Sequence, residues 1–401
     1  MVSERATRTT PFAAMDVLER ANRMDDVVHL EVGEPDFETP QAVTEAAVAA
    51  LRAGETGYTS SKGKPELRQA ISDYYDRRYG VDVPTERIVV TSGSSPALLL
   101  AFSTLVDPGD EVVLTDPYYA CYPNFVRQVG GSISTVPLAA EEGFRPRASE
   151  FARTVDSETE ALLLNSPANP TGAVLSGSTL SELVELADAA DATVISDEVY
   201  HGLTYEGEDH TILEYTDDAF VVDGFSKRFS MTGWRLGWMV APEEYVGHVN
   251  RIAQNTLICA PNFVQSGGVA ALNEVGDDFL GDVRETYRER RDYLVSEVED
   301  WGLSMGYTPG GAYYLLIDVS GLPGDVLEQR SRGGGTSSRK AFDAADFFLE
   351  EAGVAMTPGP DFGTNAEECL RVSYANSAER LAEASERIQR ALERVEIPAA
   401  D

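Results

Sequence analysis

The chain has 401 residues, 43% hydrophobic and 9% aromatic, which is enough for two domains with sizeable cores and unlike a disordered polypeptide. It carries 67 acidic residues against 32 basic ones, a formal net charge of −35. A surface of that sign repels nucleic acid and anionic membrane, so neither is expected as a partner. The acids are spread along the chain rather than gathered in a tail, which makes the charge a property of the whole surface. No stretch is apolar for long enough to span a bilayer, and the opening MVSERATRTTPFAAMDVLER lacks the apolar run of a signal peptide. Cys121, Cys259 and Cys369 are odd in number and far apart, and read as reduced thiols of a cytoplasmic protein. The four histidines are scattered, so no metal site is expected.

In chain order, residues 11–23 read as an amphipathic helix, followed by an apolar stretch from Val27 to Val32. Gly33-Glu34-Pro35-Asp36-Phe37 is a turn, after which Thr39 and Pro40 are expected to cap and open a helix. A helix from Pro65 to Tyr79 precedes the strand Arg87–Val90. That strand runs into Thr91-Ser92-Gly93-Ser94-Ser95 and an apolar helix, a sequence of parts suited to cradling a phosphate on free N–H groups. Strands follow at Glu111–Leu114, Ile133–Val136, Ala161–Leu164, Thr193–Ser196 and Ala219–Val222, with a helix at Ser178–Ala190. The alternation predicts an α/β fold with a mostly parallel sheet, whose ligands sit beyond the carboxyl ends of its strands. Ser94, Tyr119, Asn169, Asp197 and Lys227 each lie just past such an end.

Three helices are expected at Glu243–Asn255, Val264–Val275 and Asp277–Glu299. A smaller α+β pattern follows: strand Ala312–Val319, helix Ala341–Ala352, strands Val354–Met356 and Leu370–Tyr374, and a last helix, Ala378–Val395. The glycine-rich stretch 331–338 reads as a surface loop. Residues 45–290 are expected to form a large domain, and 1–44 with 291–401 a smaller one.

The segment Asp223–Gly237, DGFSKRFSMTGWRLG, is where the chemistry concentrates. Only four of the basic residues are lysines, and Lys227 sits here in an apolar, glycine-punctuated setting. Lysine, unlike arginine, can lose its proton when desolvated and attack an aldehyde to give a Schiff base. Arg235, eight residues on, offers a permanent charge suited to a phosphate. An aldehyde that also carries a phosphate is pyridoxal 5′-phosphate (PLP).

Together with GEPDF at 33–37, NPTG at 169–172, SDEVY at 196–200 and RVSYANS at 371–377, this stretch resembles the fold-type I, PLP-dependent class I/II aminotransferases. The likeness leans to their aspartate/aromatic branch and runs over nearly the whole chain. It implies that Lys227 holds PLP and moves the substrate proton, with Asp197 on the pyridine nitrogen. Asn169 and Tyr200 would face the ring hydroxyl, and Tyr119 the ring itself. Ser94, Ser95, Ser226 and Arg235 would hold the phosphate, joined by Tyr58 across a homodimer interface. Arg371 would take the substrate α-carboxylate, with Gly33 and Asn169 beside it. The reaction implied moves an amino group from an L-amino acid, aspartate, glutamate or aromatic, to a 2-oxo acid such as 2-oxoglutarate in two half-reactions. A carbon–sulfur β-lyase on the same scaffold is the rival. The charge and the scarcity of lysine further suggest a cytoplasm of molar salt.

Overall fold

The computed structural model describes residues 2–323 and 338–394. In chain order the strands are β1 (Val28–His29), β2 (Ile88–Thr91), β3 (Glu111–Asp116), β4 (Ser132–Pro137), β5 (Thr159–Asn165) and β6 (Thr193–Asp197). They continue with β7 (Phe220–Gly224), β8 (Gly237–Val240), β9 (Tyr314–Asp318), β10 (Val354–Ala355), β11 (Thr357–Pro358) and β12 (Cys369–Ser373).

Seven of them build the main sheet in the order β2-β8-β7-β6-β5-β3-β4, and all its pairings are parallel except those of β8. Its central strands are apolar on both faces, as a sheet covered by helices on both sides requires. Val90, Val113, Leu162, Val194 and Val221 point to one core, and Val89, Val112, Leu163, Ile195 and Val222 to the other. Each such side chain, fully buried, contributes roughly 1.5–3 kcal/mol.

A second layer of structure closes the carboxyl end of this sheet. β9, β11 and β12 form an antiparallel sheet with β12 in the middle, and β1 pairs in parallel with β10. The first strand of the chain is thereby tied to its C-terminal part. One apolar cluster joins Val28 and Leu30 to Tyr313, Leu315 and Ile317 on the β9 segment, and to Val372 and Leu381 near the chain's end.

The expected strands all form, with ends shifted by a few residues. β8 was not anticipated: four residues, GWMV, follow the lysine stretch with only a short apolar signature. Helices at Glu4–Arg8 and Tyr122–Val129 were also missed. Thr39 is not the helix cap it was expected to be. Pro40 takes that position without a side-chain bond, and the Thr39 hydroxyl instead donates to the Ser230 carbonyl at 2.7 Å. The helix expected at 341–352 runs from Ser338 to Phe347 and ends in a wider turn, Phe348–Ala352. The last helix ends at Leu392. The expectation for the glycine-rich stretch 331–338 lies outside the described residues, save that a helix begins at Ser338.

Beneath the turn after β7, Asp223 and Arg228 form an ion pair that is 1% exposed on either side. Arg228 also donates to the Tyr74 hydroxyl and lies 5.1 Å from that ring's centre. Burial works against the charge of Arg228, but Asp223 and Tyr74 beside it hold its pKa above the usual guanidinium range. Removing one partner strands the other charge in the core, a loss of about 3–5 kcal/mol. Arg228→Met is therefore expected to lower the thermal midpoint steeply, and Arg228→Met with Asp223→Leu to recover most of the loss. A single variant as stable as the parent chain in denaturant titration would contradict the pairing.

Candidate active site

A cavity of about 320 Å³ opens at the carboxyl ends of β3, β5, β6 and β7. Its walls include Ser94, Tyr119, Asn169, Asp197 and Lys227, so the five residues expected at strand ends do converge. Ser95, Tyr200, Ser226, Arg235, Gly33 and Arg371 line it as well. Tyr58 does not: it is 83% exposed and outside the cavity of its own chain.

At the cavity floor Asp197 ends β6 and is 4% exposed. Burial pushes its carboxyl up to about 6, against the pull of bonds from the Tyr122 hydroxyl and the Val199 N–H. Tyr122 donates to Asp197 Oδ2 at 2.7 Å. A carboxylate so buried calls for a cationic partner, and a protonated ring nitrogen is one.

At the opposite end, the helix Ser94–Leu105 begins at the cavity wall. Its first N–H groups have no acceptor within the helix, and its dipole favours an anion there. Gly93, with φ +100°, lets Arg235 close on the same turn; a Cβ at Gly93 would stand 2.4 Å from Arg235 Nη2. Arg235 Nη1 donates to the Thr232 carbonyl at 2.8 Å. Helix amides, Ser94, Ser95, Ser226 and a guanidinium around one end suit a phosphate.

Between floor and cradle, Lys227 Nζ donates to the Gly33 carbonyl at 3.0 Å. It also lies 5.6 Å from the Tyr200 ring centre and 5.8 Å from that of Tyr313. The Tyr119 ring is held edge-on by Tyr122 and Phe12, at 5.3 and 6.2 Å between centres. Gly33 leaves room, and the Tyr314 hydroxyl fills it: a Cβ at Gly33 would be 1.7 Å from that oxygen. The Tyr314 hydroxyl in turn lies 2.9 Å from the Tyr200 hydroxyl.

Arg371, in the middle strand of the small sheet, is 2% exposed. Nη1 donates to Asn169 Oδ1 at 3.2 Å, Nη2 donates to the Glu31 carbonyl, and Nε has no partner among the described residues. Tyr314 and Phe362 lie against it, with ring centres 4.5 and 4.8 Å from Cζ. A buried guanidinium with a free N–H in a cavity is suited to a carboxylate.

The class I and II aminotransferase family model matches residues 25–388. The chain belongs to the class I and II aminotransferases. They are PLP-dependent, and the donor set described above fits that cofactor at both its charged ends. Among relatives, the aspartate/prephenate aminotransferase of Thermus thermophilus is 37% identical, covering 98% of this chain and 99% of its own. The aspartate aminotransferase of Pyrococcus horikoshii is 33% identical, covering 98% and 97%. The fold matches the solved aspartate aminotransferase of T. thermophilus with maleate at a TM-score of 0.88 and 36% identity, over 98% of this chain and 99% of that one. The chain is thus a fold-type I transaminase with a mostly parallel central sheet.

Sequence reasoning missed Tyr122, Tyr314 and Glu31. Tyr122 opens the helix Tyr122–Val129, which was itself missed. Tyr314 is brought in by the pairing of β9 with β12, and Glu31 follows the pairing of β1 with β10.

The chain alternates sides behind the cavity. Asp197 and Tyr200 line it, while their neighbours Glu198 and His201 face a closed cluster, each 1% exposed. Glu198 Oε1 accepts from Ser196, Thr211 and the Ile212 N–H at 2.9–3.1 Å, and burial pushes its carboxyl up to about 8. Burial likewise pushes His201 down to about 4. For Glu198 the folded pKa lies above the unfolded one. Its contribution is therefore full below about pH 4.5 and lost as pH rises towards about 8. Glu198→Gln removes that loss, so the stability difference, Gln variant minus parent, should grow by a few kcal/mol from about pH 5 to about pH 8. Denaturant titrations of both proteins across that range check it; a constant difference would mean Glu198 is ionised throughout.

Proposed function

We propose that this transaminase moves the amino group of an L-amino acid, dicarboxylic or aromatic, to a 2-oxo acid such as 2-oxoglutarate. The observation that carries the reading is the meeting, in one cavity, of Lys227, a phosphate cradle and the buried Arg371 fork. When bound, PLP supplies an aldehyde that condenses with amines and a protonated ring that accepts the electron pair left at Cα. Asp197 would hold the ring nitrogen, Asn169 and Tyr200 the ring hydroxyl, and Tyr119 the ring face. Ser94, Ser95, Ser226 and Arg235 would hold the phosphate. Arg371 orients the substrate through its α-carboxylate, with Asn169 and Gly33 beside it. That orientation would turn Cα towards Lys227, whose amine would take the proton from Cα and hand it to the cofactor's C4′ carbon. Tyr314, bonded to Tyr200 and packed on Arg371, keeps water from that end of the cavity.

The active unit would be a homodimer in which Tyr58 of the partner subunit completes the phosphate site. Supporting this, Tyr58 is 83% exposed, and the apolar Leu51 and Ile258 are exposed too, at 43% and 49%. We take residues 45–290 as the large domain, and 1–44 with 291–401 as the small one, which β1–β10 pairing supports. The three free cysteines support a cytoplasmic setting, and among the described residues no helix is long and apolar enough to cross a membrane. The net charge of −35 supports a cytoplasm of high salt.

One series of assays tests these proposals together: paired donors and 2-oxo acids, with sedimentation, from ~0.05 to ~3 M KCl, across which the screening length shrinks to a few Å. Matched formation of new amino and oxo acids is expected, by a dimer whose activity rises with salt. Arg371→Lys should raise KM for every amino and oxo acid by about tenfold or more, the worth of one charge-assisted bond. Release of ammonia instead of amine transfer would contradict the reading. Flat salt profiles would remove the halophilic part, and a monomeric active species the shared site.

A further inference from the structure

Tyr122 and Asp197 meet at the floor of the cavity, both buried within a single chain, 3% and 4% exposed. The Tyr122 hydroxyl donates to Asp197 Oδ2 at 2.7 Å. Packing fixes the place of this hydroxyl. Tyr122 opens the helix Tyr122–Val129, and its N–H donates to the Tyr119 carbonyl at 2.9 Å. Its ring belongs to the apolar cluster that holds Leu98, Val126, Leu163 and Ile195. The same ring meets that of Tyr119 edge-on, at 5.3 Å between centres and 84° between planes. Burial, and Asp197 beside it, push the Tyr122 hydroxyl well above the usual phenol range, so it remains a donor.

The backbone of Asp197 is held separately. Its carbonyl accepts from Asn165 Nδ2 at 2.9 Å and from the Ser166 N–H at 3.3 Å. Oδ1 of the side chain accepts a long bond of 3.3 Å from the Val199 N–H. One carboxylate oxygen is thus committed to Tyr122, and the other keeps capacity for a cation in the cavity. Two further charges act on Asp197 from neighbouring elements. Asp223 in β7 opposes its ionisation, and Lys227 on the turn beyond favours it.

We propose that Tyr122 is a positioning residue for the cofactor ring: its hydroxyl occupies Oδ2 of Asp197 and leaves Oδ1 to the ring nitrogen, so that the proton between the two stays on the ring. The inference rests on the transaminase reading and deepens it, since Asp197 is the acid set there against the ring nitrogen. A donor on Oδ2 stabilises the ionised carboxylate. Without it, the buried carboxylate competes for the shared proton, and a ring that has lost that proton is a weaker electron acceptor.

The test compares the parent protein with Tyr122→Phe and Asp197→Asn, each loaded with PLP that carries an NMR-active isotope at its ring nitrogen. Tyr122→Phe keeps the ring and its contact with Tyr119 and removes one oxygen. At neutral pH the parent is expected to show the resonance of a protonated ring nitrogen, and Asp197→Asn that of a neutral one. Tyr122→Phe should move from the first towards the second. In the donor half-reaction Tyr122→Phe should lower the limiting rate by about tenfold or more, the worth of one hydrogen bond to a charged group, with KM for the amino acid within about twofold. Inorganic phosphate should bind the cofactor-free parent and Tyr122→Phe equally by calorimetry.

An unmoved ring-nitrogen resonance in Tyr122→Phe overturns the inference and leaves the transaminase reading standing. Weakened phosphate binding in that variant makes the effect one of general packing and overturns it too. A protonated ring nitrogen in Asp197→Asn removes Asp197 as the partner, and the inference with it. A parent protein that transfers no amino group from any donor overturns the transaminase reading itself.

Discussion

One buried ion pair, Asp223 with Arg228, holds the turn on which the rest of the site depends. Asp223 belongs to β7 and Arg228 follows Lys227 directly, so the pair staples the turn to the strand that delivers it. With Arg228 drawn down onto Tyr74, the next side chain back along the chain faces the opposite way, into the cavity. The same alternation recurs after β6. Asp197 and Tyr200 face the cavity, and Glu198 and His201 face the interior, where His201 meets the Tyr79 hydroxyl at 2.7 Å. The site is therefore one side of a double-faced layer. Its reactive groups keep their direction because their chain neighbours are locked in a polar network that is costly to open.

This arrangement also separates two opposed electrostatic demands. The surface carries most of a net charge of −35, while the cavity must bind anions: a phosphate and at least one carboxylate. On the proposed reading Arg235 and Arg371 meet that demand, each held by a backbone carbonyl. Arg371 is further enclosed by Tyr314 and Phe362, which shields it from the acidic exterior. Arginine rather than lysine at both places keeps the charge independent of burial. On the proposed reading, lysine stands at the position that moves a proton.

Much of this was legible in the sequence because a parallel sheet repeats one rule. Each strand delivers its following residues to the same edge, so Ser94, Tyr119, Asn169, Asp197 and Lys227 could be grouped before any contact was known. Their short polar motifs are local, and local patterns survive in sequence. What escaped was long-range or brief. The four residues of β8 are too few for periodicity to separate strand from loop. Thr39 carries the side chain of a helix cap, yet its hydroxyl is claimed by Ser230, far along the chain. Tyr314 enters the site because β9 lies beside β12, and Glu31 because β1 pairs with β10, and neither pairing has a sequence signature. Tyr58 could be named only by resemblance, and its own chain gives it no site to serve.

The central claim is that Lys227 is the amine that holds the cofactor. Because the chain has only four lysines, the claim reduces to a choice among Lys62, Lys64, Lys227 and Lys340. Lys64 and Lys340 are engaged by Glu55 and Glu368, and Lys62 by the Glu86 carbonyl at 2.7 Å. Borohydride reduction of the PLP-loaded protein fixes the cofactor to whichever amine carries it, and peptide mass mapping then locates the added group. The account predicts one pyridoxyl group per chain, on the peptide containing Lys227. A group on any other lysine, or none after full loading, would contradict it.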